Sequence, residues 1–151
     1  MILNISAMTW IKTDLNPIED ERALRKLRKA FTPDGWLIHY TTRPSVSLWF
    51  RLSSPKKVAQ IGFANGNQLA TSAKKFHLIA SHGGSAHDDC GDMNIVLTIE
   101  NANFQGSKQD KFWTIPKDKT ALYLCYGLRF EPNGHKDTNI RVRNIKMWVV
   151  S

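Results

Sequence analysis

The feature that most constrains the fold is a series of short strand-like segments that fills the chain from residue 46 onward. The first of them places Val46, Leu48 and Phe50 on one face of an extended segment, the period-two pattern of a half-buried strand. Further β-branched and aromatic runs follow, bounded by Gly, Asn, Pro, Ser or Asp, at 58–63, 76–80, 95–99, 112–115, 122–130 and 140–150. Short strands at near-regular spacing predict an all-β antiparallel sandwich or barrel.

One short helix is predicted near the N-terminus. Pro17 suits a first helical turn, acidic residues follow it at 19–21, and Pro33-Asp34-Gly35 ends the segment. The basic residues at 25–29 lie at the negative end of this helix, so the helix dipole explains them without a bound phosphate. In the last strand the alternation breaks at Arg143-Asn144, which predicts a β-bulge.

Length and composition indicate a single domain over 1–151. The chain has 151 residues, of which 42% are hydrophobic and 10% aromatic, so it can form a core without extra cross-links. No apolar run approaches the ~20 residues of a membrane span. The first ten residues are too short and too polar for a secretory signal, and the sequence leaves the compartment open.

The net charge of +8 is unevenly distributed. Residues 1–75 contain 12 Lys and Arg against 5 Asp and Glu, whereas residues 76–151 contain 9 against 8. A positive field favours anionic partners, such as nucleic acid, acidic lipid, sulfated or sialylated glycan, or acidic protein, although solubility alone also explains it. Most aromatic residues lie within predicted strands, which argues against base stacking and hence against nucleic acid.

No catalytic or cofactor motif is present, which favours a non-enzymatic protein with no cofactor. The segment from His82 to Asp92 carries imidazole, carboxylate and thiol groups, but its spacing matches no zinc or calcium site. Cys125 lies in an apolar run, where a free buried thiol is the usual state. A disulfide between Cys90 and Cys125 is the alternative in an oxidising compartment.

Several segments in order resemble the discoidin family, the coagulation-factor type C domains of the galactose-binding-like fold. Residues 30–36 (AFTPDGW) resemble its "A-F-D-G-…-W" segment, and residues 44–52, 57–63 and 72–81 resemble its next three conserved segments. Residues 112–130 and 144–148 resemble its last strands, so the resemblance covers about residues 20–150. It implies a jelly-roll β-sandwich of about eight strands and a binding module for sugars, acidic phospholipids or proteins.

The sequence departs from the family at its calcium and disulfide positions. Thr32 and Asn144 stand where many carbohydrate-binding members carry calcium-binding carboxylates, so we expect neither folding nor binding to need a metal. Cys90 and Cys125 lie mid-chain rather than at the two ends.

The resemblance also implies a binding site in loops at one end of the sandwich. These loops fall on the stretch after Trp10, on 35–45 and on 65–73, and their candidate ligand-binding residues are His39, Tyr40, Arg43, Asn65, Asn67 and Gln68. Carbohydrate is the preferred ligand, because these side chain types can fork onto vicinal hydroxyls or stack under a sugar ring. The alternatives are a protein partner and an anionic phospholipid, for which Trp36-Leu37-Ile38 would be an apolar tip if it lies outside the core.

Arg43 is the strongest single candidate. Its guanidinium can bond two ligand oxygens at once, and Pro44 constrains the backbone beside it. We expect Arg43→Ala to weaken binding by roughly 1.5–3 kcal/mol while stability changes by less than about 0.5 kcal/mol. A titration together with a thermal melt checks this, and an early melt with binding retained would contradict it.

Overall fold

A computed structural model describes residue 2 and residues 8–13, 21–39, 45–84, 90–134 and 139–150. In this part of the chain, nine strands follow one another in the order β1 (Met8–Thr13), β2 (Trp36–His39), β3 (Val46–Lys56), β4 (Val58–Ala64), β5 (Phe76–Ser81), β6 (Asn94–Ile99), β7 (Asp110–Thr114), β8 (Tyr123–Phe130) and β9 (Asn139–Val149). The helix α1 (Glu21–Arg28) lies between β1 and β2 and continues into a 3-10 turn, Lys29–Phe31.

The strands form two antiparallel sheets that pack face to face. One sheet has the order β1-β3-β8-β5-β6, and the other has the order β2-β9-β4-β7. Each sheet mixes strands from both halves of the chain, so sequence neighbours such as β3 and β4 lie in different sheets. The predicted all-β antiparallel sandwich with one N-terminal helix is confirmed.

Seven of the strands match the segments predicted from alternation and from β-branched and aromatic runs, whereas β1 and β2 were not predicted. β2 is a four-residue edge strand that pairs only with β9, and four positions are too few to show a period. Trp36 and Ile38 on β2 are buried, at 8% and 0% exposed. The suggestion that Trp36-Leu37-Ile38 forms an apolar lipid-binding tip is therefore wrong, because two of its three side chains belong to the core.

The helix end and the bulge lie where the sequence placed them. α1 ends at Arg28 and its 3-10 extension at Phe31, before Pro33 and Gly35, while Pro17 lies outside the described residues. On β9, the register with β4 shifts between Arg143 and Lys146, and Asn144 has a φ of +52°. Asparagine tolerates this left-handed conformation better than most residues do.

Between the sheets lies a core that is rich in aromatic rings near one end of the sandwich. Phe63 on β4 contacts Phe76 on β5 and Phe130 on β8, with ring centroids 5.0 and 5.6 Å apart. The ring centroid of Trp113 on β7 lies 4.8 Å from that of Phe76. The three contacts are edge-to-face, a favourable aromatic geometry.

Cys90 and Cys125 form a disulfide with their Cα atoms 5.8 Å apart, so the expectation of a free buried thiol is wrong. The bond ties the β5–β6 connection to β8. Cys125 pairs in register with Ser81, the last residue of β5, where the side chain of Ser81 donates a hydrogen bond to the carbonyl of Cys90. Sequence could not choose between the two states, because the pairing depends on β5 and β8 being adjacent.

No helix among the described residues is long and apolar enough to cross a membrane.

Candidate functional site

One end of the sandwich brings together the connections that follow β4, β6 and β8. β4 ends at Ala64 opposite Asp110, the first residue of β7, and β5 begins at Phe76 opposite Phe130, the last residue of β8. The β4–β5, β6–β7 and β8–β9 connections therefore leave the sheets at the same end.

Asn65 fastens the β4–β5 loop to the β6–β7 loop. Its Nδ2 donates to Ser72 Oγ at 2.9 Å and to the carbonyl of Gly106 at 2.6 Å, while Gln109 N donates to its Oδ1 at 2.7 Å. The residue is fully buried. A buried amide with its donors and acceptor in use stabilises the loops, so Asn65 acts as a structural residue.

Asn133 fastens the β8–β9 connection to the same loop. Its Nδ2 donates to the carbonyls of Ala70 and Ser72 at 2.9 and 3.0 Å, and Lys108 N donates to the carbonyl of Gly66 at 2.9 Å. Three connections are thus held together by hydrogen bonds, which gives this end of the molecule a preformed shape.

A pocket of about 480 Å³ opens beside these loops and runs along the outer face of the β2-β9-β4-β7 sheet; we call it the β9 pocket. Its polar side chains come mainly from the β4–β5 loop, from the β6–β7 loop and from β9: Asn67, Gln68, Lys108, Asn139, Arg141 and Arg143. Asp34 is the one acidic residue among the described residues of its lining, and Leu37 supplies an apolar wall. Ligand sites usually combine such a concave shape with a few convergent polar groups.

Two glycines make room for the arginines of the β9 pocket. A Cβ on Gly66 would lie 2.7 Å from Cδ of Arg141, and a Cβ on Gly35 would collide with Cγ of Arg143. Ile140 and Val142 are fully buried, so alternation along β9 directs Arg141 and Arg143 to the outer face. The guanidinium of Arg141 is oriented by a hydrogen bond from Nη1 to the carbonyl of Asp34 at 3.1 Å.

The structure places the predicted site residues in four different situations. Asn67 and Gln68 line the β9 pocket, and Asn65 lies beneath it as a structural residue. His39 is the last residue of β2 and pairs with Asn139. Tyr40 and Arg43 lie outside the described residues.

Lys108, Arg141 and Arg143 were not identified as binding candidates from the sequence. Arg141 and Arg143 were recognised as the outward-facing residues of the last strand, but polar residues on an exposed sheet face are expected for solvation alone. The charge count places most of the excess charge in residues 1–75, whereas these three basic residues all follow residue 75. The left-handed backbone of Lys108, with a φ of +50°, has no sequence signature.

The two positions of the family's calcium site lie next to each other. Asn144 N donates to the carbonyl of Thr32 at 3.1 Å, and neither side chain carries a carboxylate. In the segment from His82 to Asp92, Cys90 is in a disulfide and therefore has no free thiol to bind a metal. Residues 85–89 of this segment lie outside the described residues. Independence from metal stays a prediction.

A separate polar cluster lies at the start of β5. His77 Nε2 donates to the Glu131 carboxylate at 2.6 Å, and His77 Nδ1 lies 2.8 Å from Thr98 Oγ1. Lys75 Nζ lies 3.6 Å from the same carboxylate and 3.5 Å from Glu100. The hydrogen bond from His77, aided by the charge of Lys75, lowers the pKa of Glu131. This cluster ties the β8–β9 connection to β5.

Solved structures with a similar architecture span nearly the whole chain. The F5/8 type C domain of a Bacteroides fragilis protein is 10% identical, with a TM-score of 0.66 over 97% of this chain and 93% of that chain. The CBM32 domain of AlyQ, in complex with 4,5-unsaturated mannuronic acid, is 11% identical, with a TM-score of 0.64 over 98% of each chain.

The CBM32-1 and CBM32-2 domains of Clostridium perfringens ZmpB, in complex with GalNAc, are 10% identical to this chain. Their TM-score is 0.68 over 97% of this chain and 34% of that chain. No protein-family profile and no curated protein sequence matches the chain. At this level of identity the similarity establishes the architecture: the chain has the discoidin fold, the jelly-roll sandwich of F5/8 type C domains and family 32 carbohydrate-binding modules.

Proposed function

We propose that the chain is a non-enzymatic carbohydrate-binding module whose ligand occupies the β9 pocket. The observation that carries the proposal is the preformed pocket itself, which presents amide and guanidinium forks beside three loops tied together by hydrogen bonds. Such groups can bond adjacent oxygens on a sugar ring.

The fold supports a sugar ligand. Two of the similar structures are complexes, one with GalNAc and one with 4,5-unsaturated mannuronic acid. Asn67, Gln68 and Arg141 are the proposed contacts from the pocket lining. His39 at the end of β2, and Tyr40 and Arg43 after it, remain predicted contacts. Non-catalytic action and a single domain over 1–151 are parts of the same proposal.

The decisive experiment is a glycan array, followed by calorimetric titration of the best saccharide. Asn67→Ala combined with Gln68→Ala should weaken binding by about tenfold or more, as expected when hydrogen bonds to a ligand are lost. A matched control is Asn101→Ala with Gln105→Ala, on the neighbouring β6–β7 loop outside the pocket lining. Binding to vesicles of acidic phospholipid with no response on the array would contradict the proposal.

A further inference from the structure

We propose that the β9 pocket selects saccharides that carry an anionic substituent, a carboxylate or a sulfate, over their neutral counterparts. This inference rests on the proposed function, since it specifies the chemistry of the ligand in that same pocket.

The first argument is the charge of the pocket lining. Among the described residues that line the cavity, Lys108, Arg141 and Arg143 supply three basic side chains, against one acidic side chain, that of Asp34. Among the described residues, none of the three cations forms a salt bridge. Their charge is therefore not paired with a carboxylate in that part of the chain, and a bound anion would experience it, offset in part by the charge of Asp34.

The second argument is an unsatisfied donor. Within the described part of the chain, the Nε–H of Arg143 is buried and has no hydrogen-bond partner. Leaving such a group unpaired is costly, more so when it is charged. A ligand oxygen that reaches this N–H would remove that cost, and an anionic oxygen accepts from a guanidinium more strongly than a hydroxyl does.

The third argument is the conformation of Lys108. Its φ of +50° is unfavourable for a lysine, whose side chain gains no local hydrogen bond in the left-handed region. Strained backbone of this kind persists where the surrounding structure enforces it, frequently at ligand sites. Here the hydrogen bond from Lys108 N to the carbonyl of Gly66 holds the strained residue at the pocket.

The hydrogen-bond donors and acceptors of the β9 pocket also favour an anionic ligand. Arginine and lysine only donate, whereas a sugar hydroxyl both donates and accepts. A pocket for neutral sugars gains from carboxylates that accept hydrogen bonds from hydroxyls, and the described lining of the β9 pocket has one, Asp34. Its donor-rich lining fits the acceptor-only oxygens of a carboxylate or a sulfate ester.

The test compares each anionic saccharide with its neutral counterpart by calorimetric titration. One arm uses trigalacturonic acid and its methyl ester, and the other uses 6-sulfated and unsulfated N-acetyllactosamine. We expect the anionic member of at least one pair to bind about tenfold more tightly, the difference made by one charge-assisted hydrogen bond. The arm in which the preference is found identifies the carboxylate or the sulfate.

Variants of Arg143 attribute the preference to the pocket. Arg143→Gln should reduce the ratio of affinities to about twofold or less, and Arg143→Lys, which keeps the charge without the Nε–H, should retain part of it. Lys146→Gln is the matched control, because it removes one cation from the same strand outside the pocket lining. Circular dichroism of each variant verifies that it is folded.

The outcomes separate the two proposals. Equal binding of both members of each pair would overturn the anion preference and leave the carbohydrate-binding function standing. The anion preference would also be overturned if Lys146→Gln lost as much of it as Arg143→Gln does, or if single-stranded DNA bound as tightly as the anionic saccharide. Either result would mean that the preference is general attraction between opposite charges. No response from any saccharide would overturn both.

Discussion

At the scale of the residue, Lys108 has an unfavourable backbone conformation and places its basic side chain at the β9 pocket. Its left-handed conformation costs about 1–2 kcal/mol for a residue with a Cβ, and glycine avoids that cost. Glycine in turn loses about 0.5–1 kcal/mol more backbone entropy on folding than alanine does. Lys108→Gly should therefore be at least as stable as Lys108→Ala, and both should bind an anionic saccharide more weakly than the original protein.

Urea unfolding of the two variants measures this difference, and titration supplies the affinity. If Lys108→Ala were the more stable by 1 kcal/mol or more, the backbone at this position would not be strained. An unchanged affinity in both variants would remove Lys108 from the site.

Glu131 makes stability depend on pH in the acid range. Its pKa is lowered from the ordinary 4.5, chiefly by the hydrogen bond from His77 and also by the charge of Lys75. A carboxylate whose pKa is lowered by folding stabilises the folded protein fully at pH values above its pKa in the unfolded chain. This contribution is lost as the pH falls through the pKa of the folded protein. Because Glu131 is about one-third exposed, solvent limits the effect to less than about 1 kcal/mol.

The corresponding variant is Glu131→Gln. Its free energy of unfolding should lie below that of the original protein near neutral pH, and the gap should close as the pH falls below 4.5. Asp118→Asn, at an exposed position in a separate turn, should show no such gap. A gap that widened in acid would mean that the carboxylate does not carry the interaction.

At the scale of the element, the β4–β5 loop positions β9 side chains through the absence of a Cβ at Gly66. Gly66→Ala places its new Cβ 2.7 Å from Cδ of Arg141, so the arginine side chain must leave its present position. We expect affinity for the saccharide to fall several-fold, with a loss of about 1–2 kcal/mol in stability from overpacking.

Gly106→Ala is the control on the neighbouring loop. A Cβ there would meet nothing within 4 Å, so neither affinity nor stability should change appreciably. Equal losses of affinity in both variants would show that the loops respond to any substitution, and that Arg141 is not the specific target.

At the scale of the whole molecule, the disulfide and the β9 pocket lie at opposite ends of the sandwich. The bond joins residues 35 apart, and the loop-closure model assigns a ring of this size about 3–4 kcal/mol of stability. The double variant Cys90→Ala with Cys125→Ala should lose about that much in urea unfolding. Its affinity for the saccharide should be unchanged, because the pocket-side loops are held by their own hydrogen bonds.

Reductant provides the control, since it should destabilise the original protein and leave the double variant unaffected. A fall in affinity under conditions in which the variant is fully folded would show that the two ends are coupled.

The sequence by itself determined the features whose causes are local. Alternation together with β-branched and aromatic runs identified seven strands, proline and glycine located the end of the helix, and the break at Arg143-Asn144 located the bulge. The sequence also indicated the discoidin fold through its resemblance to that family. The same resemblance indicated two pocket residues, Asn67 and Gln68, because one of the family's binding loops falls on a recognisable turn at this place. The strands, the helix end, the bulge and the turn depend on residues within a few positions of each other, where periodicity and turn chemistry are visible, whereas the fold was indicated by the order of several such segments along the chain.

The tertiary structure alone decided how distant residues combine. Asp34, Gly66, Lys108 and Arg141 are far apart in sequence and meet because β9 lies between β2 and β4 in the sheet. Asn65 carries the same amide as Asn67, yet it is buried and bonded while Asn67 is exposed. Strand order and burial arise from packing over the whole chain, and no local pattern of residues encodes them.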